Sequence, residues 1–377
     1  MLLFGVSGLL HLYIATRLIP PLAGQLWAWA PLALLLVVSA LLVPASLLGL
    51  RRRSARGQAA LVWAGLLNMG LFSSLFVLTL LRDVALGLAA LAASLRPDWA
   101  LPPAFGADSA LAVLPLALLI SLLGYANARR TARVVRVDVP IADLPDALHG
   151  FRIVQLSDIH VGPTIKRPYL QAVVDRANRL QADLVAVTGD LVDGRVSELG
   201  AHVEPLAALR SRHGTYFVTG NHEYYSGADA WVALLRGLGV RVLLNEHSLL
   251  EHDGAELVIA GVTDYSAHHF DPAQRSDPQG ALAGAPASAA LRVLLAHQPR
   301  SATAAAEAGY QLQLSGHTHG GQFLPWNFFV KLQQPFVAGL HRVRDLWVYT
   351  SRGTGYWGPP KRFGAPSEIT QLRLIRA

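Results

Sequence analysis

The sequence predicts an all-α transmembrane region of about four helices followed by one α/β domain. Three observations carry this. Residues 1–128 contain four long stretches without Asp, Glu, Lys or Arg, and the remainder alternates short β-branched runs with turns and amphipathic segments. Charge and histidine also divide between the same two parts. Eleven arginines and three acids (Asp83, Asp98 and Asp108) give residues 1–136 a net charge of +8, whereas the 21 basic and 22 acidic residues that follow sum to −1. Of 14 histidines, only His11 precedes residue 137. Charged residues make up 15% of the chain, against roughly 25% in ordinary soluble domains. The absence of cysteine excludes a disulfide scaffold, an iron–sulfur site, a thiolate zinc site and a cysteine nucleophile.

The charge-free runs are 1–16, 18–50, 57–81 and 109–128. A helix of about 20 apolar residues crosses a bilayer core, and the last three runs meet this. The first is borderline. A signal peptide is the alternative for it, but it lacks a basic leading segment and a small-residue cleavage site. Residues 83–95 are apolar but only 13 long, which suits an interfacial or re-entrant helix. Trp27, Trp29 and Trp99 flank the runs, as interfacial aromatics do. Two arginine clusters, Arg51, Arg52, Arg53, Arg56 and Arg129, Arg130, Arg133, Arg136, fall on one side when four spans are counted. The excess of positive charge on cytoplasmic loops then predicts a multi-pass cell-membrane protein with everything after residue 136 in the cytoplasm. The expected division is a multi-pass region over 1–128, a basic linker over 129–150 and the α/β domain over 151–377.

In the last segment, residues 151–156, 184–188, 216–219, 240–244, 257–260, 291–296 and 312–315 read as strands, several apolar on both faces as buried strands are. Residues 346–350 and 369–374 read as later strands. Residues 168–180 read as a helix, with Pro168 in its first turn and Leu170, Val173, Ala177 and Leu180 on one face.

Five strands end in similar polar clusters: Asp158-Ile159-His160, Gly189-Asp190 with Asp193, Gly220-Asn221-His222-Glu223, His297, and Gly316-His317-Thr318-His319. Ligands of α/β sheets gather at the carboxyl ends of strands. In an extended chain, D-x-H and H-x-H place both side chains on one side. Mixed oxygen and imidazole donors suit Mn, Fe, Zn or Co.

In order and complete, these motifs (D-x-H, G-D-x-x-D, G-N-H-E, H, G-H-x-H) resemble the calcineurin-like metallophosphoesterase superfamily. The likeness covers residues 158–319. TGDLVDG, GNHEYYSG, AHQP, SGHTHGGQ and the tail SRGTGYWGPPKRFG extend it to bacterial membrane-anchored members. The resemblance implies two facing mixed sheets flanked by helices and a site for two divalent metal ions. Asp158, His160, Asp190 and His319 would hold one ion. Asp190, Asn221, His297 and His317 would hold the other, and His222 would be the general acid. Asp193 is open between orienting a ligand histidine and a turn role, and Arg352 between a phosphate contact and an ion pair.

The implied activity is hydrolysis of a phosphodiester or pyrophosphate bond, and a lipid-linked substrate is among the readings left open. The alternative is a membrane receptor or transporter with a non-catalytic phosphoesterase-like domain, although no ligand position is lost. Nucleic acid is not expected as a partner, because the domain after residue 136 has no net positive charge. The aromatic stretch Phe323-Leu324-Pro325-Trp326-Asn327-Phe328-Phe329, next to His319, is open between covering the core and meeting membrane lipid.

Overall fold

The computed structural model describes residues 1–51 and 56–377. The chain divides into two compact units, Met1–Asn127 with Gly358–Phe363, and Ala128–Trp357 with Gly364–Ala377.

The first unit is helical: α1 Leu2–Leu18, α2 Leu26–Arg51, α3 Arg56–Leu95 and α4 Phe105–Arg129, the last ending at the junction. Among the described residues, α2, α3 and α4 contain stretches long and apolar enough to cross a membrane (Leu26–Leu48, Ala59–Leu95 and Phe105–Arg129), and the apolar α1 has 17 residues. Residues 83–95 do not form the separate short helix expected. They continue α3, which runs unbroken for 40 residues. No proline interrupts it, and its two adjacent charges are satisfied sideways. Asp83 accepts hydrogen bonds from Tyr13 and Arg17 of α1 at 2.8 and 2.7 Å, and Arg82 donates to Ser109 of α4 at 2.9 Å. At 1.5 Å per residue, the 37-residue apolar stretch Ala59–Leu95 of α3 reaches ~55 Å, well beyond a bilayer core of ~30 Å. The Lys361 ammonium is buried in this unit and donates to Gly70 O and Ser74 Oγ of α3. Arg52 and Arg53 of the first arginine cluster lie outside the described residues.

The second unit holds two six-stranded sheets. Its elements in chain order are β1 Arg133–Ile141, β2 Arg152–Leu156, α5 Arg167–Asn178, β3 Leu184–Thr188, α6 Val196–Val203, β4 Thr215–Val218, α7 Asn221–Ser226, α8 Ala228–Gly237, β5 Arg241–Val242, β6 Glu246–His252, β7 Ala255–Gly261, β8 Leu291–Leu295, α9 Ala302–Glu307, β9 Leu312–Ser315, α10 Trp326–Gln333, β10 Gly339–Val343, β11 Leu346–Thr350 and β12 Glu368–Arg376. One sheet has the order β1-β12-β2-β3-β4-β5 and the other β10-β11-β9-β8-β7-β6. The stretch expected as a basic linker therefore contains a strand. β1 pairs in parallel with β12 from Arg133–Glu368 to Ile141–Arg376, because Val139 and Ile141 alternate inward with charged residues outward.

The inner faces of the sheets share one core, in which Ile153, Leu184, Ala186 and Val218 meet Leu257, Ile259, Leu291, Val293 and Leu312. The opposite face of the first sheet is covered by α5, α6 and α8, with Trp231 fully buried and its Nε1–H given to Gly194 O. Strands β2, β3 and β4 run parallel, as do β7, β8 and β9. The carboxyl ends of each set thus share an edge of their sheet, and all five polar clusters follow these ends. The aromatic stretch does not line the core. Phe323 is buried, but α10 buries none of its residues, and Phe328 and Leu332 are 63% and 81% exposed.

Candidate metal centre

Asp158 and His160 follow β2, Asp190 follows β3, Asn221 and His222 begin α7 after β4, His297 follows β8, and His317 and His319 follow β9. The structure brings the carboxylates and histidines among them together. Donor atoms of Asp158, His160 and His319 lie within 4.8 Å of one another, as do those of Asp190, His297 and His317, and those of His160, Asp193 and His222. Asp190 is central. Its Oδ2 is 3.1 Å from His297 Nε2, 3.9 Å from His160 Nε2 and 4.0 Å from His222 Nε2. Two imidazole pairs face each other nitrogen to nitrogen: His160 Nε2 and His319 Nε2 at 3.0 Å, and His297 Nε2 and His317 Nδ1 at 3.2 Å.

The backbone that achieves this is not extended, contrary to the expectation for D-x-H and H-x-H. Asp158, His160, Asp190, His317 and His319 all have φ between 50° and 70°. That left-handed region is costly for side-chain-bearing residues, and such strain clusters at functional sites. Hydrogen bonds between separate loops hold it. The Asp158 carboxylate accepts the His317 N–H at 2.9 and 3.1 Å, and Asp190 Oδ1 accepts the His222 N–H at 2.8 Å. Gly316 and Gly220 are needed for close approach, since a Cβ on them would strike Asp158 Oδ2 and Asp190 Oδ1 respectively.

Partners around the cluster fix which imidazole nitrogen points inward. His297 Nδ1 donates to Thr188 O at 2.8 Å, and His160 Nδ1 donates to Asp193 Oδ1 at 2.9 Å, so both present Nε2 to the centre. Asp193 Oδ1 also accepts from His222 Nδ1 at 2.6 Å. One carboxylate thus ties His222 to His160. Burial opposes the charged form of His222, but the Asp190 and Asp193 carboxylates outweigh it and lift its pKa to about 9. Burial and the neighbouring His297 push His317 down to about 3. His297 moves the opposite way, because Asp190 outweighs its burial.

The donor set fits divalent metal ions. It consists of carboxylates, imidazoles and one amide, it lies at the ends of rigid parallel strands, and Asn221 Oδ1 is buried without a hydrogen-bond partner among the described residues. A buried acceptor left unpaired costs about 1–3 kcal/mol, and coordination of a cation offsets that.

Glu223 is a residue whose importance the sequence reading missed, treating it only as a variant of Asp. Fully buried, it accepts the N–H groups of Asp190, Leu191 and Gly220 at 2.9, 2.8 and 2.7 Å. It thereby locks the β3 and β4 loops together. Burial and the Asp190 carboxylate raise its pKa to about 8. The only available signal was its place three residues after Gly220 at a helix start, where Glu reaches back to the backbone. Arg352 forms an ion pair with Glu368 at 3.0 Å. The remaining histidines of this unit serve elsewhere, as His213 with His252, and His247 and His341 with backbone carbonyls, show.

The profile of the calcineurin-like phosphoesterases matches residues 151–321. A transmembrane protein with metallophosphoesterase domain from Bos taurus is 43% identical over 280 residues, 71% of this chain and 62% of the relative. Its counterpart from Danio rerio is 39% identical over 272 residues, covering 70% and 62%. An uncharacterized metallophosphoesterase of Campylobacter jejuni is 34% identical over 266 residues, covering 70% and 69%. The chain thus spans about three fifths of the length of the two vertebrate relatives. With the fold and the converging donors, these matches show that the chain belongs to the calcineurin-like phosphoesterase family.

Proposed function

We propose that the chain is a membrane-bound phosphoesterase that uses two divalent metal ions, drawn from Mn, Fe, Zn and Co, to hydrolyse a phosphodiester or pyrophosphate bond in a lipid-linked substrate. The position of Asp190 carries this reading, because one carboxylate oxygen lies within 4.0 Å of three imidazoles that belong to different strand ends. Asp158, His160, Asp190 and His319 would hold one ion, and Asp190, Asn221, His297 and His317 the other. Bound there, such a pair supplies Lewis acidity to phosphoryl oxygens and lowers the pKa of water. His222 donates a proton from Nε2 to the leaving oxygen, while Asp193 holds its Nδ1 and keeps the ring in place.

The lipid-linked substrate is supported by α10. Gly321 packs directly on Asn327, so the helix starts against the turn that carries His319. Trp326, Phe328, Phe329 and Leu332 are all exposed there. Such a surface suits an acyl chain whose phosphate enters the metal centre. The double substitution Trp326→Ser with Phe328→Ser is expected to leave hydrolysis of bis(p-nitrophenyl) phosphate and the thermal midpoint unchanged, while hydrolysis of a long-chain phospholipid falls more than tenfold. Parallel loss with both substrates would remove α10 from lipid capture, and so would full retention of both.

We propose further that the helical region crosses the membrane several times and leaves the catalytic domain in the cytoplasm, on the strength of the two arginine clusters. A bacterial alkaline phosphatase, active only after export, is expected to remain inactive when fused to Ala377. An active fusion would reverse the orientation.

A further inference from the structure

A groove of about 510 Å³ lies on the first sheet, at the end of the strands remote from the metal centre. Four arginines line it, from four separate elements: Arg136 of β1, Arg152 of β2, Arg179 at the end of α5 and Arg373 of β12. Asp138 is the only acid in its lining, so the groove carries a net +3 in a domain near neutrality. Asp138 is already engaged, since Arg373 grips both its oxygens at 2.7 and 2.8 Å. Arg136 donates to Gln371 Oε1 at 3.2 Å. The Arg152 and Arg179 side chains have no hydrogen-bond or carboxylate partner among the described residues.

The strand register sharpens the anomaly. Arg152 and Arg373 are direct partners across the β2–β12 pair, and Arg373 is the direct partner of Asp138 across β12–β1. Like charges placed directly opposite destabilise a sheet. One carboxylate cannot offset three further guanidiniums, and surface packing does not require arginine at all four positions. Guanidinium forks match phosphate geometry, and the concave floor gives a ligand more than one fork at once. Arg152 opens β2, whereas Asp158 follows its end, so at about 3.3 Å per residue the groove lies ~20 Å from the metal ligands. It is therefore separate from the reaction centre.

We propose that this groove is a binding site for a phosphate-bearing anion, held by Arg136, Arg152 and Arg179. Two sources share that chemistry, an anionic lipid headgroup and a free phosphate. Arg136 is seven residues beyond Arg129, the last residue of α4, which keeps a headgroup within reach of the covalent chain.

The test uses the full chain in a neutral detergent at low ionic strength, where exposed charges are least screened. Inorganic phosphate and dioctanoyl phosphatidylglycerol are titrated separately, with dioctanoyl phosphatidylcholine as the uncharged control, and the thermal midpoint is followed. Wild type is expected to be stabilised by at least one of the two anions. Arg152→Gln with Arg179→Gln should need at least tenfold more of the same anion, with bis(p-nitrophenyl) phosphate hydrolysis unchanged. A response to the lipid alone identifies a headgroup site, and a response to inorganic phosphate identifies a soluble-anion site. If the double variant does not fold, Arg179→Gln alone is used, because that side chain makes no hydrogen bond among the described residues. Equal titration of wild type and variant by both anions, or stabilisation by phosphatidylcholine to the same extent, overturns the proposal.

Discussion

Asp190→Asn is expected to abolish hydrolysis and to strip metal from the purified protein. Asp190 Oδ2 approaches His297, His160 and His222 together, so its charge is shared by both halves of the centre. Asparagine preserves the shape and keeps an oxygen for the His222 N–H, which Asp190 Oδ1 now accepts. The fold should survive, and only the charge is lost. Loss of a group that merely orients a ligand typically lowers metal affinity about 10–100-fold, so removal of a shared ligand should exceed ~100-fold. Elemental analysis together with bis(p-nitrophenyl) phosphate hydrolysis measures both effects. Retention of two metals per chain and near-wild-type turnover would refute the assignment of Asp190 to both ions.

His222→Ala is expected to lower turnover by about 10²–10⁴-fold, the usual contribution of a positioned general acid, while metal content stays near that of wild type. The His222 ring reaches Asp190 only at 4.0 Å, and its strongest contact is with Asp193, at 2.6 Å. That geometry fits the proposed role of His222 in proton transfer, outside the proposed ligand set. The loss should shrink for p-nitrophenyl esters, whose leaving group needs little protonation, and should be largest for alkyl esters. An equal loss across both ester classes would assign His222 to substrate positioning instead.

Much of this was legible in the sequence because its signals are local. Central strands such as Leu184–Thr188 and Leu312–Ser315 announce themselves as short, apolar, β-branched or leucine-rich runs, since both of their faces are buried. The edge strands β1, β6 and β10 were not read, because their exposed faces carry charges and histidines that break the pattern. α10 was likewise not read as a helix. It has only eight residues and follows Pro325 directly, too short a run for a helical period to stand out.

At the site, the sequence by itself determined the donor types and the strand ends that bear them. Only the tertiary structure decided how they meet. The left-handed backbone at Asp158, His160, Asp190, His317 and His319 is paid for by hydrogen bonds between loops far apart in the chain, such as Asp158 to His317 and Glu223 to Asp190. The arginine groove obeys the same logic. Arg136, Arg152, Arg179 and Arg373 lie up to 237 positions apart in the chain, and only the pairing of β12 between β1 and β2 sets three of them side by side. Charge adjacency across a sheet depends on register, and register is fixed by which apolar faces are buried together. No local reading of the chain contains that information.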